Sequence, residues 1–321
     1  MNDFSGELLE QYDIEVLRVK KGRGALLCET PTQILTLKEY SGTESRLQLQ
    51  NNLLKRIESA GKVRAEQIVP NKEGELSVKA PDGKTYVLKT WSEGRECNIK
   101  DREECIRAVE LLAQLHSCML PETELPEETV VFSPEKEYEK HNRELRKVRK
   151  YLNQRSQKTW FEIHLAKHFD FFLNQALSVT EEWKYYSGKE PVIFCHGDYQ
   201  YHNILKDNKG WFLVNFEKCV ADAPIRDLYL LLRKLLEKSD WSVELGNELL
   251  QAYESVRPIS VHERIDLCYR LAYPEKFWKI ANFYFNSGKA WIPGRNLEKL
   301  EKLVEQEPAR QLFLDTVLRN V

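Results

Sequence analysis

The chain has 321 residues, 42% hydrophobic and 31% charged, with 48 Lys and Arg against 50 Asp and Glu and a net charge of −2. That much apolar material supports a substantial core and excludes a disordered or collagen-like chain. The balanced charge argues against a general nucleic-acid or membrane-surface binder, both of which rely on a basic excess. At about 150 residues per domain the length suggests two domains or one large two-lobed unit.

From Met1 to Tyr12 the chain carries acids where a signal peptide would carry a basic and then an apolar run. The longest apolar stretch, near Leu228 to Leu236, is broken by Arg233 and Lys234. It falls short of the roughly 20 residues a membrane span needs, so the expectation is a cytosolic chain. Ile14 to Lys20 and Ala25 to Thr30 are β-rich runs joined by Lys21-Gly22-Arg23-Gly24, and Gln33 to Tyr40 is a third. A helix is predicted over Thr43 to Ala60, with Leu47, Leu53, Leu54 and Ile57 on one side and Gly61 as its stop. Strands near Leu76 to Lys79 and Tyr86 to Lys89 flank the turn Pro81-Asp82-Gly83-Lys84.

From Asp101 the pattern becomes helical. Asp101 with Glu104 resembles a capping box, and Ile106, Val109, Leu112 and Leu115 recur at helical spacing. Pro121 to Glu128 reads as an exposed connection. The segment Lys140 to Lys158 holds eight Lys and Arg and one acid, Glu144. It reads either as a solvated helix face or as a patch for an anionic partner. One short β region, 191–217, interrupts helices that continue to the end, where Glu298 and Lys302 are spaced to pair at i,i+4. The seven cysteines contain no Cys-x-x-Cys pair and read as reduced, mostly buried thiols, with a zinc site or disulfide framework as the alternative.

The chemistry concentrates in 192–217. An apolar strand ends at His196-Gly197-Asp198, and Asn203 follows five residues after the Asp. Ile204 to Lys206 then turns at Asp207-Asn208-Lys209-Gly210 and returns through Trp211 to Glu217. Folding that hairpin about its turn sets Leu205 against Phe212 and Asn203 against Val214, so Asn203, Asn215 and Asp198 meet at its open end. Phosphoryl transfer needs such a cluster: a carboxylate to take an acceptor proton and oxygen ligands for Mg²⁺ on nucleotide phosphates. Asp198 fits the base and Asn203 a metal ligand. The competing reading is that both residues only cap a loop. His196 reads as a packed loop residue and His202 as a solvent- or substrate-facing neighbour.

His-Gly-Asp-x-x-x-x-Asn followed by a Phe-containing strand end resembles the catalytic loop of aminoglycoside and choline phosphotransferases, which share the protein-kinase-like fold. The segments "GRG" at 22–24, "LKEY" at 37–40, "WSEGREC" at 91–97, "CHGDYQYHNIL" at 195–205, "NFEKC" at 215–219 and "YPEKFWKIANFY" at 273–284 narrow the resemblance to the CotS-type spore coat proteins. The resemblance implies a two-lobed α+β fold, with an N-lobe over 1–89, a hinge over 90–97 and a helical C-lobe over 98–321 carrying the catalytic loop at 195–217. It implies ATP and Mg²⁺ as cofactors. Asp198 would be the base, Gly22 and Gly24 the turn over the phosphates, Lys38 the phosphate-neutralising lysine, and Lys89, Thr90 and Trp91 part of the hinge at the adenine. A strand-end lysine exposed to solvent is the plain alternative for Lys38. Gln50 stands where the acid partner of Lys38 is expected, with Glu44 as a substitute, and Asp227 would support the catalytic loop.

Where relatives have a chelating Asp, this chain has Asn215, which offers one neutral carbonyl oxygen and weakens a Mg²⁺ site built with Asn203. Glu217 could compensate, because residues two apart on a strand share a face. Aromatics from Tyr269 to Trp291 line either a substrate cleft or the helical core. Two function classes stand. One is an ATP-dependent phosphotransferase acting on a hydroxyl of a small molecule, glycan or coat protein. The other is a weak or inactive pseudokinase serving as a structural coat component. The resemblance implies deposition from the mother-cell cytoplasm onto the spore coat and partnership with other coat proteins.

Overall fold

The structure is a computed structural model that describes residues 5–22, 24–120, 134–185, 192–287 and 294–319. Arg23 of the glycine turn, the connection Pro121 to Glu128, and Trp291 lie outside the described residues. In chain order the elements are α1 (Ser5–Leu9), β1 (Arg18–Lys21), β2 (Ala25–Glu29), β3 (Ile34–Glu39), α2 (Glu44–Ala60), β4 (Ile68–Val69), β5 (Val78–Lys79), β6 (Thr85–Trp91), β7 (Arg95–Glu96) and α3 (Arg102–Cys118). They continue as α4 (Pro134–Gln154), α5 (Trp160–Trp183), β8 (Ile193–Cys195), β9 (Ile204–Asp207), β10 (Gly210–Leu213), β11 (Val220–Asp222), α6 (Ile225–Lys238), α7 (Val243–Glu254), α8 (Val261–Ala272), α9 (Glu275–Asn286) and α10 (Gly294–Phe313). Two compact units result: one joins the first 125 residues to 194–220, and the other joins 126–193 to 221–321.

In the first unit an antiparallel sheet runs β1-β2-β3-β6-β4, with β5 paired to β6. Its two faces follow from period-two alternation. Leu26, Cys28, Leu35, Leu37, Tyr86 and Leu88 point to one side and form a buried cluster with Leu8, Leu9 and Tyr12. Thr36, Lys38 and Lys89 take the opposite side. Helix α2 begins at Thr43, whose hydroxyl accepts the Arg46 N–H, and ends at Gly61 in the left-handed region, as its sequence predicts. The turn after Ala80 joins β5 to β6 as expected.

A second sheet, β10-β9-β7, carries the predicted hairpin register, Leu205 opposite Phe212 and Ile204 opposite Leu213. Arg64 grips Asp207 with two bonds of 2.9 and 3.0 Å, and the Ser92 hydroxyl adds a third at 2.7 Å. The Arg64 bonds outweigh burial and hold the Asp207 carboxyl well below the usual range. At α3 only half of the expected capping box forms. Asp101 accepts from the Glu103 and Glu104 N–H groups, but the Glu104 carboxylate turns to Arg95, Lys206 and the Asn98 N–H.

The second unit is helical apart from short strand ends, with Leu145, Phe169, Phe172, Leu231, Phe277 and Phe313 among its buried side chains. Capping boxes at Thr159–Glu162 and Ser260–Glu263 start α5 and α8. Tyr273, Phe277 and Tyr284 are buried, so these members of the aromatic run belong to the core, whereas Phe283 is exposed. Lys302 pairs with Asp240 at 3.6 Å instead of the expected Glu298. All seven cysteines are buried, and none of them is in a disulfide. No helix among the described residues is long and apolar enough to cross a membrane.

Candidate functional site

The sheet face opposite the apolar cluster lines a cavity of about 670 Å³, with Thr36, Lys38, Lys89 and Trp91 on one wall and His202, Asn215 and Glu217 on another. A second cavity of about 580 Å³ shares Lys38, His202, Asn215 and Glu217 with the first and adds Arg46, Asp198, Asn203 and Lys218. Gly22 sits at the rim of the first, bonded through its N–H to the Ala25 carbonyl at 2.9 Å, and Gly24 has φ 75°. Every one of these residues belongs to the first unit.

The loop carrying Asp198 is built to one shape. Gly197 has φ 77°, and a Cβ there would lie 2.0 Å from the Lys218 carbonyl oxygen, so only glycine fits. His196 is fully buried. Its Nε2 bonds to the Val214 carbonyl at 3.0 Å, and its Nδ1 accepts the Asp198 N–H at 3.2 Å, the packed loop role expected of it. The Tyr199 hydroxyl ties the loop to the Ala108 carbonyl of α3 at 2.9 Å. Asp198 Oδ2 accepts from Lys218 at 2.9 Å and Oδ1 from Gln200 at 2.9 Å. Burial pushes this carboxyl up, but the bond and charge of Lys218 prevail and lower its pKa.

Leu213 ends β10 by exchanging hydrogen bonds with the segment 64–66, its N–H to Arg64 and its carbonyl to the Glu66 N–H. That places Glu66 beneath the loop. Its carboxylate accepts the Asn215 N–H at 2.9 Å, the Phe216 N–H at 3.0 Å and the Lys89 ammonium at 3.0 Å. Lys89, expected only to lend backbone at a hinge, points into the sheet's polar side with 2% of its side chain exposed. It bonds Glu217 at 2.8 Å, and Lys38 reaches the same Glu217 oxygen at 3.1 Å. Burial would strip the Lys89 proton, but the two carboxylates hold it and raise its pKa. Burial likewise pushes Glu217 up, and Lys89 followed by Lys38 more than reverses this, holding it at about 2.

Lys38 therefore finds its acid in Glu217, neither at Gln50 nor at Glu44. Gln50 is buried and approaches Glu66 at 3.5 Å, and Glu44 is exposed. Thr90 exchanges bonds with the Gln67 backbone, and Trp91 packs on Leu205, Phe212 and Val214. The strand expected to run to Glu217 stops at Leu213. Asn215 takes the left-handed region at φ 67° and a 3-10 turn follows over Phe216–Lys218, so Asn215 and Glu217 share no strand face. Glu66 and Lys218, which sequence reasoning passed over, complete the cluster.

Asn203 and Asn215 meet as expected, joined by their amides. Lys38 donates to Asn215 Oδ1 at 3.3 Å, Asn215 Nδ2 donates to Asn203 Oδ1 at 2.8 Å, and Asn203 Nδ2 donates to the Asp198 carbonyl at 2.8 Å. Mg²⁺ at nucleotide phosphates is ordinarily held by one or two carboxylates. Here the two amide oxygens are neutral and already accept, both Asp198 oxygens are bonded, and Glu217 bridges two ammonium groups. The donor set does not fit the Mg²⁺ site expected at Asn203, Asn215 and Glu217.

Residues 5–317 match the family described as "Spore coat putative kinase YutH". The chain belongs to this spore coat kinase family. Spore coat protein S of Bacillus subtilis (strain 168) is 27% identical over 164 residues, 48% of this chain and 47% of that protein, so the match spans about half the length of this curated relative. Among solved structures, an aminoglycoside phosphotransferase from Alicyclobacillus acidocaldarius superposes with TM-score 0.86 at 19% identity, over 100% of this chain and 96% of the other. A spectinomycin phosphotransferase solved with ADP and spectinomycin gives 0.64 at 12%, over 98% and 97%. The family member described here thus has the aminoglycoside phosphotransferase-like fold.

Proposed function

We propose that this spore coat kinase family member binds a nucleotide in the cleft between the β3–β6 face and the loop 196–218, and transfers a phosphoryl group to a hydroxyl of a small molecule, glycan or coat protein. The observation that carries the reading is the convergence of Asp198, Asn203, Asn215, Lys38 and Glu217 on two adjoining cavities, the first of them lined also by Gly22. In the reaction the acceptor oxygen attacks the γ-phosphorus of ATP, the bond from that phosphorus to the bridging oxygen breaks, and ADP leaves. Asp198 takes the acceptor proton. The spectinomycin phosphotransferase of the same fold, solved with ADP, supports the nucleotide.

A second reading has its own support. Lys218 and Gln200 occupy both Asp198 oxygens, and Asn215 removes a chelating charge. These features favour a nucleotide-binding scaffold with little turnover. Membership in the family supports association with the spore coat under either reading. On α4 and α5, Arg146, Arg149 and Lys150 line a groove of about 510 Å³. Only Arg149 has an acid partner among the described residues, Asp170 at 2.8 Å, which supports an anionic coat partner there.

Phosphate transfer from radiolabelled ATP to spore coat extract, by wild type and Asp198→Ala, decides between the readings. Labelling lost in the variant is expected of the enzyme. Equal background in both leaves the scaffold.

A further inference from the structure

We infer that this cleft neutralises nucleotide phosphates with its own lysine ammonium groups in place of a divalent cation, so that ATP binds without metal. The inference rests on the nucleotide reading above and adds how the polyphosphate is held.

The central observation is what Asn215 does. Its amide nitrogen donates to Asn203 at 2.8 Å, a bond that a carboxylate at this position could not make. Donation then runs in one direction, from Lys38 through Asn215 and Asn203 to the Asp198 carbonyl. In a metal site the side chains at 203 and 215 would both present oxygens to a shared cation. Here a hydrogen bond joins them directly, and the cationic end of the chain is an ammonium. Asn215 is thus fitted to its neighbours as an amide, with its backbone N–H fixed by Glu66.

The surrounding charge points the same way. Lys38 and Lys218 keep 37% and 67% of their side chains exposed, so both can reach a ligand in the cavity. Arg46 lines the same cavity, with its guanidinium on the Cys219 carbonyl at 3.4 Å. Three cationic groups therefore border the space beside Asn203. The acids there are already committed: Asp198 to Lys218, Glu217 to Lys38 and Lys89, and Glu39 to Lys84. Among the described residues no trio of carboxylate, His or Cys ligand atoms gathers in this cleft. Beside Asn203 a divalent cation would meet two ammonium groups and only carboxylates that already hold a lysine, whereas a polyphosphate would meet those exposed lysines and Arg46 as donors.

Calorimetric titration of the full chain with ATP and with adenosine, in EDTA and in excess Mg²⁺, tests this. The expected ATP affinity differs less than about threefold between the two conditions. Lys218→Ala, at a position 67% exposed, should weaken ATP about tenfold and leave adenosine unchanged, the scale of one charge-assisted contact. Asn215→Asp should lower ATP affinity in EDTA at least about tenfold and regain it in Mg²⁺, because it adds a carboxylate beside the phosphates. ATP binding that appears only with Mg²⁺ overturns the inference and keeps the nucleotide reading. An Asn215→Asp titration indistinguishable from wild type also overturns it. No binding of ATP or adenosine in either condition removes the nucleotide reading and this inference together.

Discussion

Lys89→Met offers the sharpest probe of the first unit. The ammonium lies 3.0 Å from Glu66 and 2.8 Å from Glu217, and Lys89 and Glu66 are each about 2% exposed. Methionine fills a similar volume but leaves two carboxylates facing the vacated point. At roughly 6 Å and an effective dielectric of about 20 their repulsion alone is about 3 kcal/mol. Breaking a buried pair by removing one partner costs about 3–5 kcal/mol. Lys38 still faces Glu217, and the backbone N–H groups of Asn215 and Phe216 still face Glu66, which keeps the loss within that range. Urea titration at neutral pH followed by circular dichroism should therefore show a deficit of about 3–5 kcal/mol. Lys89→Met/Glu217→Gln should recover more than half of it, because one of the stranded charges is gone. A Lys89→Met chain within about 1 kcal/mol of wild type would refute the reasoning, since a solvated lysine would behave that way.

Two further expectations concern the same cluster. Glu217 stays ionised in the folded chain down to about pH 2, while its ordinary value is 4.5. The unfolded state binds more protons across that window, so stability is full above about pH 4.5 and falls as the pH drops towards 2. The gap between wild type and Glu217→Gln should close over the same window, and a gap independent of pH would count against the ion pair. Gly197→Ala forces a Cβ to within 2.0 Å of the Lys218 carbonyl at φ 77°. Strain of roughly 1–3 kcal/mol should appear as a melting temperature lowered by several degrees, with weaker ATP binding by calorimetry, and an unchanged melt would show that the loop yields freely.

The sequence disclosed the hairpin at 203–215 because alternation and a glycine turn fix its register together. Leu205 and Phe212 are opposed as that pattern requires, which brings Asn203 to Asn215. The course after Leu213 was not legible. A left-handed asparagine has no pattern of its own, and it sends Glu217 towards Lys89 instead of along a strand. Glu66 stayed hidden for a different reason. It stands in irregular chain between α2 and β4, and only the bridge of its neighbour Ala65 to Leu213, with its own N–H on the Leu213 carbonyl, brings its carboxylate under the loop. The ion pairs of Lys89, expected as part of the hinge, were not legible either, because nothing local records that two distant acids enclose its ammonium. The α2 caps and the β5–β6 turn were readable because their signals lie within a few residues.

The discontinuity of the first unit has a consequence during protein synthesis. Lys89 leaves the ribosome 128 residues ahead of Glu217, and Glu66 leads the Phe216 N–H by 150. At roughly 5–20 residues per second that interval is on the order of 10 s. Throughout it the nascent sheet holds a lysine and a glutamate whose later partners do not yet exist, and its edge at 64–66 awaits Leu213. The emerging chain must therefore keep that face hydrated while the whole of 126–193 is made, and the cleft closes only as 194–220 arrives.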